Sequence, residues 1–476
     1  MTQLLLSFIQ NALKDRHSRS QGELAADFLG VSINSRTIKP GEIFVALKGE
    51  RLDGHQFIEE AFGLGCTLAI VDNNYQPPTS TTAHAFMFVD DTLKALHDLS
   101  RGYLQSLPAK RIALTGSSGK TTTKELIRHV LSAVLGEEAV FASSGNQNNH
   151  FGVPLSAFAV RQKHQVAILE MGMNHFGEIA TLAGIVKPNI GLIVNMGTAH
   201  AGNLGGPDGV AKAKAELYEA LTAKDIAIVN ADDPRCLREA AAKVKGKQIT
   251  FGKAPWADVR IESTEPTWGK SNGQQSKSLG MHITLVFQNK KETAWLSLLG
   301  VHNAQNAAAA VAVAMALNLD FKTAVQGLSA MQAVHGRLEV HTLANGALLI
   351  DDTYNANPES IEAGLSVLST WKNHRHVAIL GEMAELGENS YAIHRTIGAA
   401  CVQKNVDLLL ACGPNAKAYG VGAIAAGLAK ECFFWAQNSA EIALIAASQI
   451  KNNDVILVKG SRFTEMEKVV TKLLSL

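Results

Sequence analysis

The sequence predicts an α/β protein with three domains: a small N-terminal α/β domain, a central, mostly parallel sheet of the phosphate-loop type, and a C-terminal Rossmann-like sheet. The length of 476 residues exceeds what one ordinary core accommodates, and 46% of the residues are hydrophobic. Short apolar runs alternate with helical patterns, as in parallel sheets that helices cover on both faces. This alternation is interrupted at residues 258–299, and a second series of runs follows.

The first predicted domain comprises residues 1–90, where short β-like runs mix with helical ones. The runs are EIFVALKG, LAIVD and AFMFVD. Each is rich in β-branched or aromatic residues, which indicates strands of a small α/β unit.

The second predicted domain comprises residues 91–330 and contains four compact runs rich in Val, Ile and Leu. In chain order they are RIALTG, QVAILEMG, IGLIVNMG and DIAIVNAD, and helical patterns separate them. We therefore expect a parallel sheet here. Within residues 258–299, VRIEST, MHITLVFQN and TAWLSLLG predict an antiparallel ribbon.

The third predicted domain comprises residues 331–476 and repeats the α/β rhythm. Its runs are GALLIDD, HVAILGEM, VDLLLACG and DVILVKG. They predict a second nucleotide-type sheet rather than a tail.

Composition narrows the function classes. A formal net charge of +1 argues against a surface devoted to polyanions. The five cysteines are scattered without a CxxC pair, which argues against a disulfide framework or a cysteine zinc site and favours a reducing compartment. No signal-peptide pattern opens the chain, and the longest apolar stretch, residues 307–317, is too short to span a bilayer. We expect a cytoplasmic enzyme.

The stretch LTGSSGKTTTKELI follows an apolar run and opens a helical pattern, which is the context of a phosphate-binding loop. Leu114 stands where the commonest loop class has its first glycine, so a different class is indicated. Gly116 and Gly119 allow backbone N–H groups to turn toward a phosphate, Lys120 adds a positive charge, and Thr121 offers a hydroxyl to Mg²⁺. The alternative is a glycine-rich turn with a solvated lysine. The predicted nucleotide-binding residues of the loop are Thr115, Gly116, Ser117, Ser118, Gly119, Lys120, Thr121 and Thr122.

Two polar residues follow successive predicted strands of the central sheet. Glu170 ends VAILE, and His200 follows LIVNMGTA. Ligands of such sheets gather at the carboxyl ends of the strands, and a carboxylate with an imidazole suits a bound cation. Taken singly, a capping glutamate and an ordinary loop histidine are equally good interpretations.

Nine blocks of this sequence together resemble the Mur ligase family, ATP-dependent amide-forming enzymes of bacterial peptidoglycan assembly, whose phosphate loops have the shortened form TGxxGKT/S. One block, NSRTIKPGEIFVALKGERLDGHQFIEEAFGLG, resembles the uridine-nucleotide-binding opening of two family members. The others are SSGNQNNHFGVP, AILEMGMN, AKAKAELYEA, GVHNAQNAAAA, HGRLE, DDTYNANPES, GEMAELGE and VKGSRFTEMEKVV.

The resemblance implies a function. Three blocks are most similar to the family member that joins D-Ala-D-Ala to UDP-MurNAc-tripeptide through an acyl phosphate: DDTYNANPES, GEMAELGE and VKGSR. The resemblance therefore implies this reaction. It also implies a cytoplasmic monomer that spans no membrane and binds no nucleic acid. The alternatives are the member that adds diaminopimelate or lysine one step earlier, a folylpolyglutamate synthase, or a nucleotide-binding regulator without catalysis.

The resemblance also implies roles for catalytic and metal-binding residues. Lys120 would hold the β- and γ-phosphates of ATP, Thr121 and Glu170 would bind one Mg²⁺, and His200 a second. In AKAKAELYEA the family carries a CO₂-carbamylated lysine, which here is Lys214; a solvated helix lysine is the alternative. Lys212 lies two residues away and cannot share its helix face.

Further contacts are implied for both substrates. Asn306 would contact the adenine of ATP, and Asn303 lies one turn earlier on the same helix face. Arg337 and Asp352 would reach the phosphates and the ribose of ATP. Without the resemblance, Arg337 and Asp352 would be interpreted as a surface pair. The residues implied to bind the UDP substrate are Ser35, Arg36, Asn148 and Asn149. Relatives continue the histidine block as AHLE, whereas this chain has AHAGNLGGPDG, so contacts of residues 201–206 are not carried over.

Overall fold

The computed structural model describes residues 4–49, 52–78, 84–197, 204–269, 278–332 and 335–476. The chain divides into two compact units. The first consists of Met1–Ala113, Glu137–Gly172 and Gly177–Ile190, and the second of Leu114–Gly136, Met173–Phe176 and Gly191–Leu476. The bounds of the three predicted domains stay a prediction.

The described secondary structure alternates strands and helices along most of the chain. The strands are β1 Leu4–Leu5, β2 Arg19–Gln21, β3 Asp27–Phe28, β4 Gly30–Ser32, β5 Glu42–Val45, β6 Leu68–Asp72, β7 Phe86–Val89, β8 Lys110–Thr115, β9 Val140–Ala142, β10 Val166–Glu170, β11 Ile190–Ile193, β12 Ile226–Asn230, β13 Lys247–Gly252, β14 Val259–Gly269, β15 Ser278–Phe287, β16 Lys290–Leu296, β17 Glu339–Thr342, β18 Leu348–Asp352, β19 Arg375–Gly381, β20 Leu408–Cys412, β21 Phe433–Ala436 and β22 Asp454–Lys459. The α-helices are α1 Leu6–Ala12, α2 Ile58–Gly63, α3 Thr92–Gln105, α4 Lys120–Leu135, α5 Gly152–Ala159, α6 Glu178–Val186, α7 Pro207–Glu219, α8 Pro234–Lys243, α9 Val301–Ala316, α10 Phe321–Gly327, α11 Pro358–Leu368, α12 Ser390–Gln403, α13 Lys417–Ala425, α14 Ser439–Gln449 and α15 Glu467–Leu474.

A five-stranded sheet lies in the first unit, with the order β2-β7-β6-β5-β4. Its strands pair in parallel except β2, which is antiparallel to β7. Phe44, Phe86 and Phe88 project from it into a buried cluster with Ile58 and Ala61 of α2. The three runs predicted for this region are thus strands of one small α/β sheet.

A nine-stranded sheet has the order β16-β15-β14-β13-β12-β11-β8-β10-β9. The pairs β9/β10, β12/β13 and β13/β14 are parallel, while β14, β15 and β16 form an antiparallel ribbon. The runs predicted as central strands form β8, β10, β11 and β12, and the predicted ribbon is confirmed.

A six-stranded sheet in the second unit has the order β17-β18-β22-β19-β20-β21. All its pairs are parallel except the edge pair β17/β18. One buried cluster contains residues of α11, α12 and α13, and another contains residues of α14 and α15. A mostly parallel sheet between two helical layers is the predicted Rossmann-like sheet, so the predicted α/β fold class is confirmed.

The sequence predicts that the cysteines form no disulfide framework and that no segment spans a membrane. Cysteines 66, 236, 401, 412 and 432 are free. Among the described residues, no helix combines the length and the apolar character needed to cross a bilayer.

Candidate active site

The phosphate loop lies between the buried end of β8 and the start of α4. Gly119 has φ +78°, and a side chain there would collide with Asn306, whose Oδ1 lies 2.9 Å from the position of a Cβ. Helix α4 begins at Lys120, and its N-cap residue, Gly119, offers no side chain that could accept a hydrogen bond from the first backbone amides. The Lys120 ammonium donates to the Gly116 carbonyl over 2.8 Å. A helix start without a capping side chain and with an adjacent lysine is suited to an anion.

Asn195, just after β11, holds the loop in shape and was missed by the sequence reasoning. Its Oδ1 accepts hydrogen bonds from the backbone N–H groups of Ser117 and Ser118, both over 3.0 Å. Its Nδ2 donates to the Ser118 carbonyl over 3.0 Å. These two loop amides therefore bind the protein itself, in contrast to the expectation that the loop amides turn toward a phosphate.

We expect Asn195→Ala to weaken nucleotide binding by about 10- to 100-fold, because three hydrogen bonds worth about 0.5–1.5 kcal/mol each are lost and the Ser118 amide is left unpaired. The Ser117 amide keeps its second acceptor, the main-chain carbonyl of residue 195, at 3.2 Å. Titration with ADP measures the change. Asn189→Ala is a matched control, since Asn189 Oδ1 accepts from the Arg111 N–H at the far end of β8 over 3.0 Å. Equal weakening in both variants would contradict a specific role of Asn195 in the loop.

Three hydroxyl groups belong to the loop and to the first turn of the helix that follows it. The hydroxyls of Thr115 and Ser117 are buried and have no hydrogen-bond partner in the part of the chain that the structure describes. Thr121 is half-buried in the first turn of α4. Hydroxyls left in this condition are costly to bury without a ligand.

Helix α9 carries the two asparagines predicted to share a face, and the structure confirms that geometry. Asn303 and Asn306 are both buried, and the Nδ2 of Asn306 donates to the Oδ1 of Asn303 over 3.1 Å. Asn303 in turn donates to the Leu299 carbonyl over 2.8 Å. Asn306 therefore lies against Gly119 of the loop, with its orientation fixed by hydrogen bonds.

Lys214 on α7 is only 1% exposed, whereas Lys212 is exposed. The alternative of a solvated lysine is therefore wrong for Lys214. Burial, with a smaller contribution from the positive charge of Lys120, lowers the pKa of Lys214 well below its ordinary value. One turn later, the Tyr218 hydroxyl donates to the Ile228 carbonyl over 3.0 Å and anchors the helix. Burial of this kind favours the neutral, nucleophilic form of the amine.

Asp352 ends β18 and pairs with Lys459, which ends the neighbouring strand β22. Lys459 is 2% exposed, and its Nζ lies 2.6 Å from Asp352 Oδ2 and donates to the Asn355 carbonyl over 2.9 Å. Burial raises the pKa of Asp352 in spite of the opposing effects of Lys459 and Arg337. The Arg337 guanidinium stacks on the Tyr354 ring, 4.1 Å from its centroid. Asp352 is thus largely covered, with 14% of its side chain exposed, and its partner Lys459 was not predicted from the sequence.

Glu170 is the last residue of β10 and is 1% exposed. Asn148 donates from Nδ2 to its Oε1 over 2.8 Å. Its Oε2 is buried and has no hydrogen-bond partner among the described residues. An ionised carboxylate in this position needs a cation or a donor, so the capping interpretation does not account for it.

The other predicted substrate residues lie in the first unit and have contacts within the protein. Asn149 Oδ1 accepts from the backbone N–H groups of Phe151 and Gly152 over 3.1 and 2.8 Å at the start of α5. The buried Ser35 donates to Glu60 over 2.7 Å, and Arg36 is exposed. Their predicted contacts with substrate stay predictions. His200 and residues 201–203 lie outside the described residues.

Comparison with known proteins connects this geometry to a family. Residues 27–104 match the Mur ligase family catalytic domain, 114–314 the Mur ligase middle domain, and 336–462 the Mur ligase glutamate ligase domain. The chain belongs to the Mur ligase family.

Similarity to individual Mur ligases extends over the whole chain. An Escherichia coli relative named UDP-N-acetylmuramoyl-tripeptide–D-alanyl-D-alanine ligase is 35% identical over 448 residues, which cover 93% of each protein. A crystal structure of MurF from Acinetobacter baumannii matches with a TM-score of 0.86 and 32% identity, covering 100% of both chains. A structure of MurF ligase from Thermotoga maritima in complex with ADP matches with a TM-score of 0.79 and 27% identity, covering 94% of this chain and 97% of that one.

The donors of this Mur ligase fit the nucleotide and magnesium that the family implies. The uncapped start of α4 and the Lys120 ammonium suit phosphates. The buried Glu170 oxygen, without a partner in the described parts of the chain, suits a hard cation. The phosphate-binding residues belong to the second compact unit and Glu170 to the first, so the two observations are independent.

Proposed function

We propose that this Mur ligase joins D-Ala-D-Ala to UDP-MurNAc-tripeptide at the expense of ATP, in peptidoglycan precursor synthesis. The observation that carries the proposal is the similarity over 93% of both chains to a protein named for that reaction. The uncapped helix start beside Lys120 supports the use of a nucleotide, as does the likeness to a relative solved with ADP.

The chemistry follows from the poor reactivity of a carboxylate, whose leaving group would be oxide. Transfer of the ATP γ-phosphoryl group to a carboxylate oxygen of the tripeptide forms an acyl phosphate and releases ADP. The neutral amine of D-Ala-D-Ala then attacks the acyl carbon, loses a proton, and expels phosphate as the amide bond forms. An α-amino group titrates near pH ~8, so a useful fraction is neutral without a strong base. Lys120 and the first amides of α4 would offset the repulsion between carboxylate and triphosphate.

For magnesium, we propose that Thr121 and Glu170 hold one ion and His200 a second. Glu170 supports this assignment, because its buried Oε2 has no partner among the described residues. When bound, the ion neutralises phosphate charge and orients the phosphates. Asn148 would then act by fixing the other carboxylate oxygen, in addition to any contact with substrate.

We further propose that Lys214 is carbamylated. The neutral amine nitrogen attacks the carbon of CO₂ and releases a proton, so that a carbamate anion replaces the neutral amine. Burial of Lys214 and its lowered pKa support this step, since only the neutral amine is nucleophilic. A carbamate anion at Lys214 would attract the Lys120 ammonium, whereas a protonated Lys214 would be repelled by it.

The remaining assignments complete the proposal. Three domains, residues 1–90, 91–330 and 331–476, would bind the UDP substrate, ATP and the dipeptide; the family matches at 27–104, 114–314 and 336–462 support this division. We propose a cytoplasmic monomer. The proposed contacts with ATP beyond the loop are Asn303, Asn306, Arg337 and Asp352, and those with the UDP substrate are Ser35, Arg36, Asn148 and Asn149.

Phosphate release in the presence of UDP-MurNAc-tripeptide, ATP and candidate amines tests the function. We expect D-Ala-D-Ala to stimulate release and to appear in the product, whereas free diaminopimelate or lysine should not. The sequence supports this choice, because the DNPR-like motif usual in the member that acts one step earlier is absent from the last domain; DDPR at 232–235 lies in the middle. Dependence on a free diamino acid would contradict the proposal, and ATP hydrolysis unaffected by any peptide would favour a regulator.

A further inference from the structure

A cluster of three potential metal ligands lies on the β17/β18 edge of the six-stranded sheet and is not used by the proposed reaction. His335, Glu339 and Asp351 each direct one ligand atom into it, and these atoms lie within 4.8 Å of one another. Glu339 of β17 stands opposite Asp351 of β18 in the antiparallel register, which places both side chains on one face of the sheet. His335 reaches the same place from the segment before β17.

The ligand atoms lie close enough together to surround one small ion. With bonds of about 2.1 Å, the ligand atoms of a tetrahedral zinc ion lie about 3.4 Å apart. His335 Nδ1 and Glu339 Oε2 are 3.1 Å apart, and the three ligand atoms lie within 4.8 Å of one another, so small side-chain movements would complete the geometry. His341 Nε2 lies 3.8 Å from Glu339 Oε2. The second imidazole, His341, flanks the cluster without belonging to the group of three.

Asp351 provides a separate indication of a ligand. It is fully buried, and its Oδ1 accepts hydrogen bonds from the backbone and the hydroxyl of Thr353, over 3.0 and 2.7 Å. Its Oδ2, in contrast, is buried and has no partner among the residues that the structure describes. A buried carboxylate oxygen beside a second carboxylate, Glu339, is costly unless a cation neutralises the pair.

We propose that His335, Glu339 and Asp351 form a binding site for a transition-metal dication of the zinc class. One imidazole nitrogen and two carboxylate oxygens suit such an ion, whereas Mg²⁺ prefers oxygen ligands alone. The ion would tie the segment before β17 to β18. In the sequence, Arg337 lies between the ligands His335 and Glu339, and Asp352 directly follows the ligand Asp351. A bound metal would therefore restrict the backbone that carries Arg337 and Asp352.

Titration of the full-length protein with Zn²⁺, in excess Mg²⁺, tests the site without reference to the ligase reaction. We expect one Zn²⁺ to bind per chain and His335→Ala to weaken binding by at least about tenfold, since loss of an outer-shell partner alone costs a metal site that much. The side chain of His335 is 84% exposed, so this variant should fold normally. Glu339→Gln, which keeps the size of the side chain and removes its charge, should weaken binding as well.

The control is His374→Ala, which removes a histidine that directly precedes β19, is hydrogen-bonded to the Lys372 carbonyl and is distant in sequence from the cluster. It should leave the affinity for Zn²⁺ unchanged. With Co²⁺ in place of Zn²⁺, the wild-type protein should show a visible absorption band that His335→Ala lacks. No Zn²⁺ binding by the wild-type protein, or equal binding by His335→Ala, would overturn the proposal.

Discussion

Replacement of Lys214 by alanine is expected to lower kcat of the ligase reaction by about 10²- to 10³-fold, the usual cost of removing one preorganised electrostatic group from an active site. Burial holds the pKa of Lys214 well below its ordinary value, which favours the neutral amine that a reaction with CO₂ requires. A carbamate here would supply a negative charge next to Lys120, and alanine supplies none.

Chemical rescue separates a carbamate from a structural lysine. Acetate or another short-chain carboxylate should partly restore kcat of Lys214→Ala, because it can place an anion in the cavity that the side chain leaves. Lys212→Ala, which alters an exposed lysine of the same helix, should retain full activity. Full activity of Lys214→Ala would remove the carbamate hypothesis, as would a folded, inactive variant that no carboxylate rescues.

The strands were predictable because their signal is local. Each central strand is a run of apolar residues that is buried on both faces, such as β10 and β19, and needs no knowledge of its neighbours. The phosphate loop was found for the same reason, since its strand, glycines, lysine and helix are consecutive. The common face of Asn303 and Asn306 follows from helical periodicity alone.

The hydrogen bonds and ion pairs that hold the site residues in place were not predictable, because they join residues far apart in sequence. Asn195 is 77 residues or more from the loop amides that it holds, and Lys459 is 107 residues from Asp352. Strand order brings each pair together, and the sequence does not state strand order. A polar residue directly after a buried run was the available signal, and both Asn195 and Lys459 have it.

Two adjacent asparagines that carry the same prediction make different contacts within the protein. The resemblance implies a substrate contact for both Asn148 and Asn149, and these contacts stay predictions. In the structure, Asn148 orients the Glu170 carboxylate, while Asn149 caps α5 through two backbone amides. Loss of Asn149 would therefore affect local stability, whereas loss of Asn148 would change the surroundings of a proposed metal ligand.

Lys459→Met is expected to destabilise the six-stranded sheet by about 3–5 kcal/mol, the usual cost of leaving one member of a buried ion pair without its partner. Methionine keeps the length of the side chain but removes the ammonium that lies 2.6 Å from Asp352 Oδ2. Hydrogen exchange of the β18 and β22 amides measures the change in this sheet alone, which matters because a chain with two compact units need not unfold in one step.

The pH dependence of that loss identifies the unpaired charge as its cause. Burial already raises the pKa of Asp352 in the native protein, and removal of Lys459 would raise it further above the unfolded value of about 3.9. A carboxylate whose folded-state pKa is raised destabilises the fold while it is ionised, so the deficit should be full at neutral pH and should shrink as pH falls through the folded-state pKa. The double variant Asp352→Asn/Lys459→Met, which buries no charge, should recover most of the stability at neutral pH. An equal deficit in the single and double variants, independent of pH, would show that packing of the Lys459 side chain, rather than its charge, stabilises the sheet.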